Sequence, residues 1–386
     1  MERILISPQK YIQGRNVIEK IGEYVKPLGT NLLVIADECV WHLVGEKVME
    51  SFHKQNLSFE KVGFNGESSE NEIARIEKIG KEFGADVIIG IGGGKSVDTA
   101  KAVGEILSAK VVSVPTIAST DAPTSSLSVI YSDDGVFEKY KFYLKNPDII
   151  LVDSQVIAQA PSRFLAAGIG DGMATWIEAK ANLESRKPAM AGGLSTLAAA
   201  KIAELCWDTL FQYGEAALLA VKQNTVTPAV EAVIEANTLL SGLGFESVGL
   251  AAAHAIHNGF TVLHDKTHDL MHGEKVAFGT LVQMALESWT TEELYNYIDF
   301  CIKLGLPTTL KDLNLGDASK EELMKVAEAA CQDGETIHNM PFEISPEMVF
   351  DAIIAADAYA TEYKLKNKFK ITTQKINKIK ISSYKI

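Results

Sequence analysis

Several features that would assign this chain to a special class are absent. Its 386 residues include only four cysteines, which form no CxxC pair, so neither a disulfide framework nor a thiolate zinc site is expected. No charge-free apolar run of about eighteen residues is present, which argues against a membrane-spanning helix. The start, MERILISPQKYIQG, lacks the long apolar segment of a secretory signal. These absences predict a cytoplasmic protein with reduced thiols.

Positive charge is also scarce. The formal net charge is −13, with 37 Lys and Arg against 50 Asp and Glu. A general nucleic-acid-binding protein needs a basic surface, so this balance excludes that class and favours work on small molecules.

The length predicts more than one domain, because 386 residues exceed a typical single core. We expect an α/β domain over residues 1–160 and a helical domain over residues 161–362. Residues 363–386 carry lysines and no acidic residue. For this tail we expect a disordered appendage, with an added strand as the alternative.

Near-continuous apolar runs in the first half predict buried parallel strands at residues 31–37, 85–94, 110–116 and 148–153. Helix-like stretches lie between them, which is typical of a parallel sheet covered on both faces. The alternating residues 126–131 and 139–144 predict a β-hairpin. Ligands of such sheets bind beyond the carboxyl ends of the strands, so the residues that follow each run are the candidates for ligand contact.

The first two strand ends suit a dinucleotide. Asp37 can accept the ribose hydroxyls of NAD, and a helix cap is an equally good interpretation. Gly92, Gly93, Gly94 and Lys95 then lead into a helix, where backbone N–H groups can approach a pyrophosphate. The spacing matches neither GxGxxG nor a P-loop, and a simple tight turn is the alternative. Asp98, in the helix, is either a capping charge or a cofactor contact.

The third strand end is followed by a loop of small hydroxyl residues, PTIASTDAPTSS, around one carboxylate. Asp121 in this setting suits recognition of a polar ligand. An ordinary Ser/Thr/Pro loop is an equally good interpretation.

Five of the eight histidines lie within residues 242–275, namely His254, His257, His264, His268 and His272. Neutral imidazole is the commonest protein metal ligand, so the cluster indicates a metal site or acid–base chemistry. The spacing predicts that the first two share one helix face and the last two another. Packing histidines are the alternative. A catalytic metal usually takes three protein ligands, and Asp171 in GIGDG is our candidate for the third, with a helix N-cap as the alternative.

These motifs together resemble the iron-containing (group III) alcohol dehydrogenase superfamily, and within it the glycerol-oxidising members, from the N-terminus to about residue 360. The superfamily also includes dehydroquinate synthase, and the resemblance implies that fold. It implies the metal ligands Asp171, His254 and His272, which with the substrate-binding Asp121 form the catalytic set. It also implies an NAD site lined by Asp37, Gly94, Lys95, Asp98, Thr116, Ser119, Ser125, Leu127 and Tyr131.

One position departs from the iron-dependent pattern. Those members place another histidine four residues after the ligand aspartate, and here that residue is Thr175. Three ligands and an open position suit zinc better than iron. The resemblance further implies a homo-oligomer, often an octamer.

The implied reaction is the zinc-dependent oxidation of glycerol, and of related vicinal diols, to a ketone such as dihydroxyacetone, with hydride transfer to NAD. His264 and His268 are candidates for carrying the proton to solvent. A lyase or a phosphate-substrate dehydrogenase of the same fold is an alternative, but the Asp121 loop lacks the basic residues that such substrates need. A non-catalytic nucleotide or metal sensor is the other alternative.

Overall fold

The computed structural model describes residues 1–382, and their side chains up to residue 367. The chain forms two compact units, Met1–Ala251 and a second that begins at Ala252. The boundary predicted near residue 160 lies inside the first unit, where it separates the sheet from the long helices, and it stays a prediction.

The first unit contains a six-stranded, all-parallel sheet in the order β1-β8-β5-β4-β2-β3, and a separate antiparallel hairpin of β6 and β7. The strands are β1 (Lys10–Gly14), β2 (Asn31–Ala36), β3 (Ser58–Gly63), β4 (Val87–Gly92), β5 (Lys110–Pro115), β6 (Leu127–Tyr131), β7 (Phe137–Phe142) and β8 (Ile149–Asp153). The four predicted parallel strands and the hairpin are confirmed. The two edge strands, β1 and β3, were not predicted.

The sheet is buried on both faces, as the continuous apolar runs indicate. In β2, Leu32 and Val34 belong to one hydrophobic core, while Leu33 and Ile35 belong to another on the opposite face. Alternate residues of a strand point to opposite sides, so each face needs its own apolar set.

Helices cover the sheet and continue after it. In the first unit they are α1 (Ile21–Val25), α2 (Glu38–Lys54), α3 (Glu70–Phe83), α4 (Gly94–Leu107), α5 (Ser154–Gln159), α6 (Ser162–Ser185), α7 (Leu197–Val221), α8 (Pro228–Glu235) and α9 (Ser241–Val248). A π-helical segment, Ala236–Leu240, joins α8 to α9.

The second unit is helical over the residues described. Its helices are α10 (Ala252–Phe260), α11 (His264–Thr267), α12 (His272–Leu286), α13 (Thr291–Leu304), α14 (Lys320–Ala330) and α15 (Pro346–Ser382). Buried Tyr297 links α13 to α12, because its hydroxyl donates to the Ala277 carbonyl at 2.9 Å. The predicted combination of an α/β portion with a helical C-terminal portion is confirmed.

The lysine-rich tail differs from its prediction as a disordered segment or an added strand. Its backbone continues α15 as far as Ser382, and residues 383–386 lie outside the described part of the chain. No proline or glycine follows Pro346, so nothing in the sequence breaks the helix.

None of the described helices is by itself long and apolar enough to cross a membrane. One pair of consecutive segments, Pro228–Val248 and Ala252–Thr267, reaches that length and composition only when the two are taken together. Most of the apolar side chains in this pair are buried in the protein.

Candidate active site

Three predicted strand-end residues gather at one edge of the sheet. Asp37 follows β2, Gly93 follows β4 and Thr116 follows β5. Strands β2, β4 and β5 are parallel neighbours, so their carboxyl ends share that edge. The predicted position of these residues at the strand ends is therefore confirmed, and the binding of NAD by them stays a prediction.

Asp37 does cap a helix. Its Oδ1 accepts a hydrogen bond from the Val40 N–H at 2.8 Å, at the start of α2. Such a cap occupies one carboxylate oxygen and fixes the direction of the side chain. The helix-cap interpretation of Asp37 is thus confirmed, and its contact with NAD stays a prediction.

The glycine turn joins β4 to α4 closely. Gly92 has a φ of +152°, and a Cβ placed there would lie 3.0 Å from the Cβ of Ser96. The first helical residue is Gly94, where a Cβ would lie 3.3 Å from Thr120 Oγ1. A turn without side chains keeps the N-terminal N–H groups of α4 open to a phosphate.

Lys95 has a carboxylate partner that sequence reasoning missed. Its Nζ lies 2.6 Å from Glu67 Oε2 and 4.8 Å from the centre of the Tyr131 ring. Burial raises the pKa of Tyr131 well above its usual value, so the ring stays neutral beneath the ammonium group. The cation that would face a pyrophosphate is therefore balanced by Glu67.

Asp98 is buried, with 3 % of its surface exposed, and it binds the hairpin. Its Oδ2 accepts from the Val129 N–H at 2.9 Å, and its Oδ1 lies 2.7 Å from the Nζ of Lys101. Burial raises the pKa of Asp98, while Lys101 and the Val129 N–H oppose that shift. Within the described structure, the Asp98 side chain thus holds β6 against α4.

Lys101 is equally buried, and sequence reasoning missed it. Its ammonium group donates to the backbone oxygens of Ala122, Ser125 and Leu127, at 2.9 Å and 3.3 Å for the first two. A buried ammonium group is costly unless several acceptors surround it, and these carbonyls with Asp98 do so. Lys101 therefore fixes the loop that carries the predicted residues Ser119, Asp121, Ser125 and Leu127.

Glu246 of α9 holds the same loop with the opposite charge. Its Oε1 accepts from the N–H and from the hydroxyl of Ser126, both at 2.6 Å, and its Oε2 accepts from Asn146 Nδ2 at 2.5 Å. Burial raises the pKa of Glu246, and the hydrogen bonds from Ser126 oppose that shift. We name Lys101 and Glu246 the loop clasp, since carbonyls of the loop contact the cation and donors of Ser126 contact the anion.

Asp121 receives a hydrogen bond from the hydroxyl of Ser241 at 2.6 Å. The Oγ of Ser241 also lies 2.8 Å from the Oγ1 of Thr175. The residue that departs from the iron-dependent pattern thus belongs to a buried hydrogen-bond chain that ends at the predicted substrate ligand.

Asp171 lies well inside α6, so the N-cap interpretation of this residue is wrong. Its side chain is buried, with 1 % exposed. Burial raises the pKa of the Cys206 thiol well above its usual value, and the charges of Asp121 and Asp171 add to that effect. Cys206 therefore stays a thiol next to both carboxylates and offers no thiolate to a metal.

Three histidines meet in the second unit. The ring centre of His272, at the start of α12, lies 5.5 Å from that of His254 and 4.1 Å from that of His257, both on α10. The two helices approach closely, because a Cβ at Gly279 would lie 2.5 Å from the Ala253 carbonyl oxygen. The absence of a side chain at Gly279 thus allows α10 and α12 to pack closely.

The N-terminus of α10 is capped by a residue that sequence reasoning missed. Gln283 Oε1 accepts from the N–H groups of Ala252 and Ala253, at 3.0 Å and 2.9 Å.

Burial lowers the pKa of His257 well below its usual value, and the neighbouring His272 and Lys275 add to that shift. His257 is therefore a neutral imidazole at physiological pH.

His264 and His268 lie on the surface, with ring centres 6.0 Å apart. The prediction that His268 and His272 share one helix is wrong, because α11 ends at Thr267 and a new helix begins at His272. The Glu274 carboxylate accepts from the Met271 N–H at 2.8 Å and stabilises that new start.

Comparisons with known proteins show which family the chain is similar to. Residues 8–154 match the family model described as iron-containing alcohol dehydrogenase. The chain is 50 % identical to a glycerol dehydrogenase of Citrobacter freundii over 363 residues, which cover 94 % of this chain and 99 % of the relative. It is 51 % identical to a glycolaldehyde reductase of Halobacterium salinarum over 357 residues, which cover 92 % of this chain and 98 % of the relative.

A solved structure is similar over the same length. The crystal structure of glycerol dehydrogenase from Schizosaccharomyces pombe superimposes with a TM-score of 0.92 at 44 % identity, covering 95 % of this chain and 93 % of that one. Identity at this level over nearly the whole length indicates common descent as well as a shared fold. The chain therefore belongs to the iron-containing alcohol dehydrogenase family, among relatives that include several glycerol dehydrogenases.

Proposed function

We propose that this protein is a cytoplasmic enzyme that oxidises glycerol reversibly to dihydroxyacetone, with NAD as the hydride acceptor, and that it accepts related vicinal diols. The observation that carries the proposal is the identity of about half of all residues with glycerol dehydrogenases from several species, over nearly the full length. The lyase and phosphate-substrate alternatives are disfavoured, because the loop around Asp121 offers hydroxyl groups where those substrates need cations.

The proposed NAD site lies along the sheet edge described above. The carboxylate of Asp37 accepts the ribose hydroxyls, and the open turn before Gly94 receives the pyrophosphate. Lys95 supplies a positive charge that is shared between Glu67 and the phosphates. The remaining proposed contacts come from α4, from the clasped loop and from the hairpin, namely Asp98, Thr116, Ser119, Ser125, Leu127 and Tyr131.

The proposed metal ligands are Asp171, His254 and His272. His254 and His272 come together within the second unit, with ring centres 5.5 Å apart, and Asp171 is a buried carboxylate of the first unit. One carboxylate and two imidazoles form a donor set that zinc accepts readily, and three protein ligands are typical of a catalytic zinc site. At position 175 the side chain is a threonine that hydrogen-bonds to Ser241, which favours zinc over iron.

The residues of the chain have distinct roles in this reaction. A bound divalent metal supplies Lewis acidity that lowers the pKa of an alcohol, and NAD supplies the hydride acceptor. Asp121 accepts a hydrogen bond from a further hydroxyl of the polyol and fixes its orientation. A polar group placed in this way discriminates against alcohols that lack the hydroxyl, because its own hydrogen bond would then be lost.

Reduction of glycolaldehyde is a second candidate function, favoured by the Halobacterium relative of that name. The two candidates are separated by steady-state reduction of dihydroxyacetone and of glycolaldehyde, each with NADH at one pH. We expect the higher kcat/KM for dihydroxyacetone. A higher value for glycolaldehyde, together with no oxidation of glycerol, would reject the first proposal in favour of the second.

We also propose a homo-oligomer, and specifically an octamer. Exposed apolar side chains support an interface, for example Leu197 and Leu219 on α7, which are 84 % and 57 % exposed, and Leu144 after β7, which is 96 % exposed. Light scattering coupled to gel filtration measures the mass directly, and a monomer would reject the proposal.

A further inference from the structure

A buried hydrogen-bond chain leads from α6 to the loop that carries Asp121. The hydroxyls of Thr175 and Ser241 are 2.8 Å apart, and Ser241 donates to Asp121 Oδ2 at 2.6 Å. Thr175 and Ser241 are fully buried. A Cβ at Gly244 would lie 2.5 Å from Thr175 Cγ2, so α9 packs closely against this side chain and restricts its movement.

The hydrogen bonds that join Thr175, Ser241 and Asp121 can all be satisfied in only one donor-to-acceptor direction. Each hydroxyl has a single proton to donate, and an ionised carboxylate only accepts. Ser241 gives its proton to Asp121, so Thr175 must donate to Ser241 for the second contact to be a hydrogen bond. The sequence Thr175 to Ser241 to Asp121 is therefore polarised toward the carboxylate, and each bond strengthens the next.

We propose that Thr175 and Ser241 are positioning residues that hold the Asp121 carboxylate in the orientation that accepts the substrate hydroxyl. The inference rests on the proposed function, in which Asp121 binds the polyol. A carboxylate with one oxygen anchored cannot rotate freely about its Cβ–Cγ bond. Substrate binding then loses less entropy, and the reacting carbon is placed more accurately. Thr175 thus contributes a proton to this chain where iron-dependent members of the superfamily carry a histidine.

The test compares three variants with wild type: Ser241→Ala, Thr175→Val and Thr175→Ser. Since Ser241→Ala removes a hydrogen bond to a charged group, we expect kcat/KM for glycerol to fall roughly tenfold to a hundredfold. Thr175→Val keeps the shape but loses a neutral hydrogen bond, and should cost about threefold to tenfold. Thr175→Ser keeps the hydroxyl and should restore most of the activity.

Two controls separate positioning from general damage. NADH affinity, measured by fluorescence titration, should stay within about twofold of wild type, because neither hydroxyl belongs to the proposed NAD site. Thr280→Val removes another buried hydroxyl, one that donates to the Val276 carbonyl within α12, and should leave the glycerol kinetics unchanged. If Ser241→Ala fails to fold, the kcat/KM for glycerol of the isosteric Thr175→Val variant tests the positioning role in its place.

A double-mutant cycle gives the sharpest result. If Ser241 acts through Asp121, Ser241→Ala should cost less than about threefold in an Asp121→Ala background. Equal losses in both backgrounds, or a parallel loss of NADH affinity, would overturn the positioning role. A wild-type protein that binds NADH but does not oxidise glycerol would instead reject the proposed function, and this role with it.

Discussion

The loop clasp yields a quantitative prediction for the variant Lys101→Met. Lys101 and its partner Asp98 are each 3 % exposed, and their ion pair is 2.7 Å long. Removing one member of a buried pair leaves an uncompensated charge and typically costs about 3–5 kcal/mol. The carbonyls of Ala122, Ser125 and Leu127 also lose their donor. Since burial already raises the pKa of Asp98, partial protonation offsets some of this cost, so we expect about 3–4 kcal/mol of destabilisation.

The assay is urea unfolding at one fixed protein concentration, because an oligomer makes the midpoint depend on concentration. NADH affinity should weaken in parallel, since the loop carries proposed cofactor contacts. The double variant Lys101→Met/Asp98→Asn should recover part of the loss, because the orphaned charge is gone. The control Lys201→Met removes an exposed partner of Glu204 and should cost less than about 1 kcal/mol. A Lys101→Met protein with wild-type unfolding and wild-type NADH affinity would refute the reasoning.

Two further predictions concern Glu246, the second residue of the loop clasp, and the helices α10 and α12. Burial raises the pKa of Glu246, so the folded state binds its proton more tightly than the unfolded state. The free energy of unfolding of wild type, relative to that of Glu246→Gln, should therefore be greatest at acid pH and should fall as pH rises through that raised pKa. Urea unfolding at several pH values measures this difference, and a difference that does not change with pH would contradict the prediction. In Gly279→Ala, the added Cβ would lie 2.5 Å from the Ala253 carbonyl oxygen and would force α10 and α12 apart. Metal retention, measured by elemental analysis after dialysis, should drop well below one ion per chain, while a fully loaded variant would show that the spacing is not critical.

The sequence predicted the central strands because they are buried on both faces. Strands β2, β4, β5 and β8 consist almost entirely of buried residues. The edge strands gave no such signal, since β3 alternates exposed and half-buried residues up to its one buried valine, Val62. An edge strand has a neighbour on only one side, so its sequence does not need to be continuously apolar.

The clasp could not be predicted from a residue pattern. A lysine in a helix is ordinarily solvent-exposed, and only the fold shows that Lys101 faces three carbonyls of a distant loop. Its position at the end of the GGGKSVDTAK motif was the only available signal. The break before His272 was missed for a similar reason, because the Glu274 side chain that stabilises it is also common inside helices.

The proposed metal site is the central claim, and the direct measurement is the initial rate of NAD reduction by glycerol before chelation, after chelation, and after adding back zinc or iron. We expect chelation to abolish the rate and zinc to restore it better than iron. His272→Ala should retain neither metal nor activity. A chelated wild-type protein that still oxidises glycerol at the original rate, or a zinc-loaded and fully active His272→Ala variant, would contradict the account.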